Sequence, residues 1–251
     1  MSYNWSKKLH GYIEKTPKEL LTPQSIGDQL EIPPRILCQE VLYFYQYSLM
    51  ELVEYDKEHE REPDRHMYTP LEYYLFGNKK PPFHRPMNTW MMSMSFKRTE
   101  LADMTISGVK VPYSMTDEME QTGFPGQRKD DRRMFLDPPR GINYVGAWIL
   151  EDSQTGEMSY FYGSTGKDQE ARRRIDKKYR TSLHIPGGKY VWTEYESDYR
   201  IHGFHKLYGG LIARRTAVGS FHERYYELDD SRFIFEMYNE KNELSIYFPI
   251  L

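Results

Sequence analysis

The sequence predicts an α+β protein: a helical and loop-rich N-terminal half over residues 1–140, then a small mixed β-sheet with flanking helices over 141–251. Three observations predict it. Apolar residues recur at the helical period between residues 20 and 55, alternation of strand type begins after residue 140, and Asp137, Pro138, Pro139 and Gly141 make the clearest break between the two patterns.

The first helical stretch reads LLTPQSIGDQLEIPPRILCQEV and continues as LYFYQYSLMELVEY, with Leu37, Val41, Tyr45, Leu49 and Val53 on one face. Pro33 and Pro34 suit the first turn of a helix that begins there. Ser25, Ile26, Gly27, Leu30, Ile32 and Ile36 have the apolar spacing of a helix-turn-helix, placed at 20–42. A recognition helix reads bases with Arg, Asn or Gln near its start, and Arg35 and Gln39 are the residues of that kind here, beside Glu31 and Glu40. Cys38 is the sole cysteine, so no internal disulfide forms, and its apolar neighbours predict a buried core thiol.

The run DKEHEREPDR from Asp56 to Arg65 is a solvated helix end or linker, and a short helix, LEYYLF, follows Thr69 and Pro70 and stops at Gly77. Residues 78–140 keep neither period and predict long loops. After the break, Tyr144 to Leu150 and Glu157 to Tyr162 form a β-hairpin around the turn residues Asp152, Ser153, Thr155 and Gly156. A helix from about Asp168 to Arg180 comes next, and RFIFEMYNEKNELSIYFPIL closes the chain as a second hairpin with an Asn-Glu-Lys-Asn turn.

Charge narrows the function classes. The chain of 251 residues has a net charge of −3, which excludes coating nucleic acid through bulk positive charge. Between Lys167 and Arg180, however, seven basic residues face three acidic ones, the local footprint of a site that holds phosphate. No apolar run has the length of a membrane helix and the start has no secretory pattern, so a cytoplasmic or nuclear location is expected. Covalent hydrolase chemistry has no GxSxG to support it, GSTGKDQ lacks the spacing of a phosphate-binding loop, and His202, His205, His222 and Glu223 have no diagnostic zinc spacing.

The hairpin and basic helix together resemble the GIY-YIG nucleases. Gly146, Ala147 and Trp148 stand where GIY would, Phe161, Tyr162 and Gly163 stand where YIG would, and GSTGK with an arginine nine to eleven residues further on continues the likeness. The resemblance implies a Mg2+- or Mn2+-dependent endonuclease acting on nucleic acid, DNA first. Its catalytic residues would be Arg172 or Arg174 on the scissile phosphate, Tyr162 from the hairpin and Tyr179 after the helix arginine, with Glu223 holding the metal and Glu227 second in line. Lys167, Arg173, Lys177, Lys178 and Trp148 would contact the nucleic acid. Trp148 and Phe161 replace the tyrosines usual in that family, so the alternative is an inactive nucleic-acid- or protein-binding module on the same scaffold.

Overall fold

Eight antiparallel strands form one sheet, covered on one face by helices, in a computed structural model that describes residues 4–45, 47–58, 95–113, 143–164, 180–195, 214, 217–222, 224, 226–241 and 243–251. The helices are α1 (Asn4–Lys15), α2 (Pro23–Leu30), α3 (Pro34–Tyr45) and α4 (Leu49–Glu58). The strands are β1 (Lys97–Leu101), β2 (Met104–Pro112), β3 (Tyr144–Asp152), β4 (Glu157–Ser164), β5 (Arg180–Ile185), β6 (Gly188–Tyr195), β7 (Phe235–Tyr238) and β8 (Leu244–Pro249). Among the described residues no helix is long and apolar enough to cross a membrane.

The α+β class holds, with a larger and more uniform sheet than the small mixed one expected. Its order is β1-β6-β8-β7-β3-β4-β2-β5, and every pairing is antiparallel. The break near residue 140 does not separate two cores, because β2 lies between β4 and β5, and α3 packs on β3. Strands that pair must share a sheet whatever lies between them in sequence, and loop closure over such lengths costs little extra. Arg180, expected to end a helix, opens β5.

The sheet carries a topological two-fold. Exchanging β1 with β5, β2 with β6, β3 with β7 and β4 with β8 returns the same strand order. One register joins β1–β2 to β5–β6, from Lys97 opposite Trp192 to Val109 opposite Arg180. Matching Leu101 to Ile185 and Met104 to Gly188 and following the ladders puts Gly146 on Glu236 and Trp148 on Tyr238. Gly146 and Glu236 also pair with each other, so the axis runs through them.

Side chains alternate between two cores. Trp148, Tyr160, Tyr162, Leu244, Ile246 and Phe248 join the helices in the larger core, and Val145, Ala147, Phe161, Tyr190 and Phe235 form the smaller one on the other face. Glycines permit the close approaches this needs. A Cβ on Gly108 would lie 2.1 Å from the Tyr162 carbonyl oxygen, and one on Gly163 would lie 2.6 Å from that of Ser107, so β2 and β4 touch through a glycine pair with the Phe161 ring beside it.

The single helical run expected through Val53 divides instead. Ser48 and Glu51 make a reciprocal cap, Glu51 N–H donating to Ser48 Oγ at 3.2 Å and Ser48 N–H to the Glu51 carboxylate at 2.8 Å, so α4 starts anew. Thr22 and Ser25 cap α2 in the same reciprocal way, and Glu31 at φ 58° turns the chain into α3. His10 ties three helices together, with Nδ1 against Asp56 of α4 and Nε2 2.8 Å from the Tyr45 hydroxyl of α3. Cys38 has no exposed surface, and burial pushes its thiol up to about 12, as expected of a core cysteine. The LEYYLF helix and the loops of 78–94 and 114–140 lie outside the described residues.

Candidate functional site

At the two-fold centre, β7 carries a carboxylate into the larger core. Glu236 has no exposed surface, so its charge must be met inside the protein. Arg214 meets it, from a residue just ahead of the helical turn at 217–222. Its Nε donates to one carboxylate oxygen and an Nη donates to the other at 2.9 Å, the forked geometry that makes arginine the strongest carboxylate partner. Tyr238 completes the ring, accepting from Arg214 at 2.6 Å and donating to Glu236 at 3.0 Å.

Aromatic faces surround that pair. The guanidinium carbon lies 5.1 Å from the centre of the Trp148 ring, within cation–π range. Tyr43 of α3 and Tyr160 of β4 each meet the indole edge-on at 4.8 Å, and Tyr113 lies at 6.0 Å. The Tyr160 hydroxyl reaches toward Glu236, 3.4 Å away, over Gly146, where a Cβ would be 2.0 Å from the phenol oxygen. The glycine on the axis therefore makes room for the phenol that faces its symmetry mate. Helix α3 closes the cage: the Gln39 amide donates to the Trp148 carbonyl at 2.7 Å and accepts from Ile234 N–H at 3.2 Å, joining the two hairpins.

Burial dominates the electrostatics here. It raises the Tyr43 and Tyr160 phenols well above the ordinary tyrosine value, and the Glu236 charge adds to the effect, so both remain donors. For Arg214 burial is the largest influence and opposes the charge, but Glu236 and the phenols outweigh it and hold the guanidinium well above its usual value. Among the described residues, two donors in the cage have no hydrogen-bond partner, the Tyr43 hydroxyl and the Trp148 indole N–H. An unmet buried donor costs about 1–3 kcal/mol, so each of these two is a polar atom that an acceptor would stabilise.

Of the catalytic and nucleic-acid-contacting residues that the resemblance implies, Trp148 and Tyr162 are described. Trp148 is 2% exposed and Tyr162 is 3% exposed; both belong to the larger core. The indole, expected against nucleic acid, is packed inside the larger core against Tyr43, Tyr160 and Arg214. Phe161 lies in the other core, so the two aromatic replacements in the GIY-YIG-like pattern do not converge. Lys167, Arg172, Arg173, Arg174, Lys177, Lys178, Tyr179 and Glu223 lie outside the described residues, as do His202 and His205. Glu227 is described, and its carbonyl accepts from the N–H of Leu251. His222 Nε2 sits 2.8 Å from a Glu40 oxygen, and among the described residues no group of three or more metal-ligating side chains occurs.

The helix-turn-helix segment forms two helices, but α3 turns inward. Ile36 through Tyr45 are buried, Gln39 is held by β3 and Ile234, and Arg35 donates to the Asp230 carbonyl. The side chains expected to meet bases are engaged within the protein. Sequence reasoning missed Glu236, Arg214 and Tyr43. The available signal was one acid, Glu236, among alternating apolar residues in RFIFEMY, on the same face as Tyr238.

No family model matches the chain, and no curated relative does. Among solved structures, an integron cassette protein from the mobile metagenome of Vibrio cholerae shares 16% identity over 62% of this chain and 95% of its own, with a TM-score of 0.39. SAV2435, solved with bound tetraphenylphosphonium, shares 18% identity over 63% and 94%, with a TM-score of 0.38. A chain of the EcmrR–DNA complex shares 13% over 63% and 58%, with a TM-score of 0.33. At these values none of them assigns a function to this chain.

Proposed function

We propose that the chain is a ligand-binding protein whose cage at Glu236 takes an aromatic organic cation. The observation that carries this reading is a carboxylate with no exposed surface, ringed by Trp148, Tyr160, Tyr238 and Tyr43, with the Tyr43 hydroxyl and the Trp148 N–H unmet among the described residues. Aromatic walls around a buried negative charge favour a soft, delocalised cation over a strongly hydrated one, because cation–π attraction replaces hydration that such a cation holds weakly. An acceptor atom on the same molecule would satisfy Tyr43 and Trp148.

The test compares benzamidinium with neutral benzamide, which has nearly the same shape, and adds tetraphenylphosphonium as a bulkier cation. Calorimetric titration is expected to show saturable binding of a cation, not of benzamide, and loss of that binding in Glu236→Gln. Binding that survives Glu236→Gln unchanged, or no binding of either cation to the unaltered chain and to Arg214→Ala alike, rejects the reading.

A second reading rests on the local excess of positive charge between Lys167 and Arg180. It is the Mg2+- or Mn2+-dependent phosphodiesterase implied by the GIY-YIG-like pattern, with Arg172 or Arg174 on the phosphate and Glu223 on the metal. Supercoiled plasmid incubated with either metal tests it: cutting that is unchanged in Arg172→Ala, Arg174→Ala and Glu223→Ala rejects that site. Salt-sensitive nucleic-acid binding with no cutting favours the non-catalytic form.

A further inference from the structure

We infer that Arg214 is a built-in occupant of the Glu236 cage, so that the described conformation is a self-blocked state from which an incoming cation must displace the guanidinium. The inference rests on the ligand-binding reading and adds its regulation. Three contacts carry it: the forked pair with Glu236, the hydrogen bond to Tyr238 and the position over the Trp148 ring. Together these are the contacts a free planar cation would make, and they are met by a residue of the chain itself.

The surroundings separate an occupant from a plain structural ion pair. A structural pair in a core is stable when every polar atom around it is satisfied. Here Glu236, Tyr238 and Arg214 bond among themselves, while among the described residues the Tyr43 hydroxyl and the Trp148 N–H on the same cage have no hydrogen-bond partner. The guanidinium matches the charge of the site and leaves its remaining donors unmet, as expected of a stand-in smaller than the molecule the cage fits. Its backbone also lies outside the two hairpins, next to the turn at 217–222 whose Phe221 is anchored on Phe248 at 4.5 Å. Withdrawing the side chain therefore leaves the sheet register intact.

A ligand that competes with an internal occupant binds more weakly by the fraction of molecules in which the site is free. The full-length chain, Arg214→Ala and Glu236→Gln are titrated with benzamidinium, and their melting temperatures are recorded with and without methylguanidinium. Arg214→Ala is expected to bind benzamidinium at least about a hundredfold more tightly than the unaltered chain, the factor for a site open in roughly one molecule in a hundred. Methylguanidinium is expected to raise the melting temperature of Arg214→Ala and leave Glu236→Gln unmoved. If Arg214→Ala fails to fold alone, refolding in methylguanidinium supports the inference and failure to refold there overturns it. Benzamidinium binding in the unaltered chain that is no tighter in Arg214→Ala overturns the block and leaves the ligand-binding reading standing. No binding in either chain removes that reading itself.

Discussion

The two hairpins at the centre of the sheet occupy equivalent places and have diverged in content. In β3–β4 the axial position is Gly146 and the hairpin contributes Trp148, Tyr160 and Tyr162 to the helical face; in β7–β8 the axial position is Glu236 and the matching residues are Tyr238, Leu244 and Ile246. One hairpin supplies aromatic walls and the space between them, and the other supplies the charge. The difference teaches where chemistry enters such a scaffold: repeated pairing builds the sheet, and the site arises where the repeat is broken by a glycine opposite an acid.

The largest expected effect removes the charge from the second hairpin. Glu236→Ala strands a buried guanidinium and is expected to cost about 3–5 kcal/mol in urea denaturation, the usual penalty for breaking a buried pair from one side. A loss under 1 kcal/mol would mean that Arg214 relocates to water and the cage is not a rigid unit. Filling the first hairpin's gap is next. Gly146→Ala places a methyl on the Tyr160 hydroxyl and is expected to cost about 1–3 kcal/mol, as overpacking does. Adding Tyr160→Phe should recover part of that loss, and no recovery would show that the clash lies elsewhere.

Gln39→Ala breaks the link between the hairpins, leaving the Trp148 carbonyl and the Ile234 N–H without their side-chain partner, at an expected cost of about 1–2 kcal/mol. Tyr43→Phe should stabilise the chain by about 1 kcal/mol, because the buried hydroxyl it deletes has no hydrogen-bond partner among the described residues. A loss above 1 kcal/mol would reveal one. The phenols also fix an alkaline limit. Tyr43 and Tyr160 titrate in the folded chain above their unfolded value, so their stabilisation is whole below about pH 10 and is lost as pH rises from there toward the folded values. Denaturation midpoints measured from pH 8 to 11 should fall across the upper part of that range, and less steeply in the double Phe variant.

Local elements were legible in the sequence wherever a periodic pattern and a turn residue agreed. The hairpin around Asp152 and Gly156 and the terminal hairpin with its Asn239 turn are both present, the latter held by Asn239 Oδ1 accepting from Lys241 and Glu243 N–H groups at 2.9 Å each. The Ser48–Glu51 cap was legible in principle and was masked by an apolar period that runs straight through it. Long-range order was not legible. Strands β1 and β2 lie in a stretch with no clean alternation because β2 meets neighbours on both sides and β1 shows a charged outer face, so the period of 2 is blurred.

The candidate site was harder still to read. A glycine at 146 looks like a motif residue when its neighbours in sequence are considered, and its physical reason, the phenol of Tyr160 overhead, becomes visible only when β3 and β4 are paired. Arg214 and Glu236 are 22 residues apart with no shared pattern, and a buried ion pair between a helix and a strand leaves no periodic trace. Of the nuclease-like pattern, the hairpin half has a packing reason for each described residue, while the basic half up to Tyr179 lies outside the described residues.

Trp148 is the natural reporter of the cage, since its ring is what a bound cation must cover. A chain carrying Trp5→Phe, Trp90→Phe and Trp192→Phe keeps it as the sole indole, and its fluorescence can be followed during titration with benzamidinium. A saturable change that disappears when Glu236→Gln is added is the predicted result; cation binding that leaves this single fluorophore unmoved would place the ligand elsewhere and contradict the account.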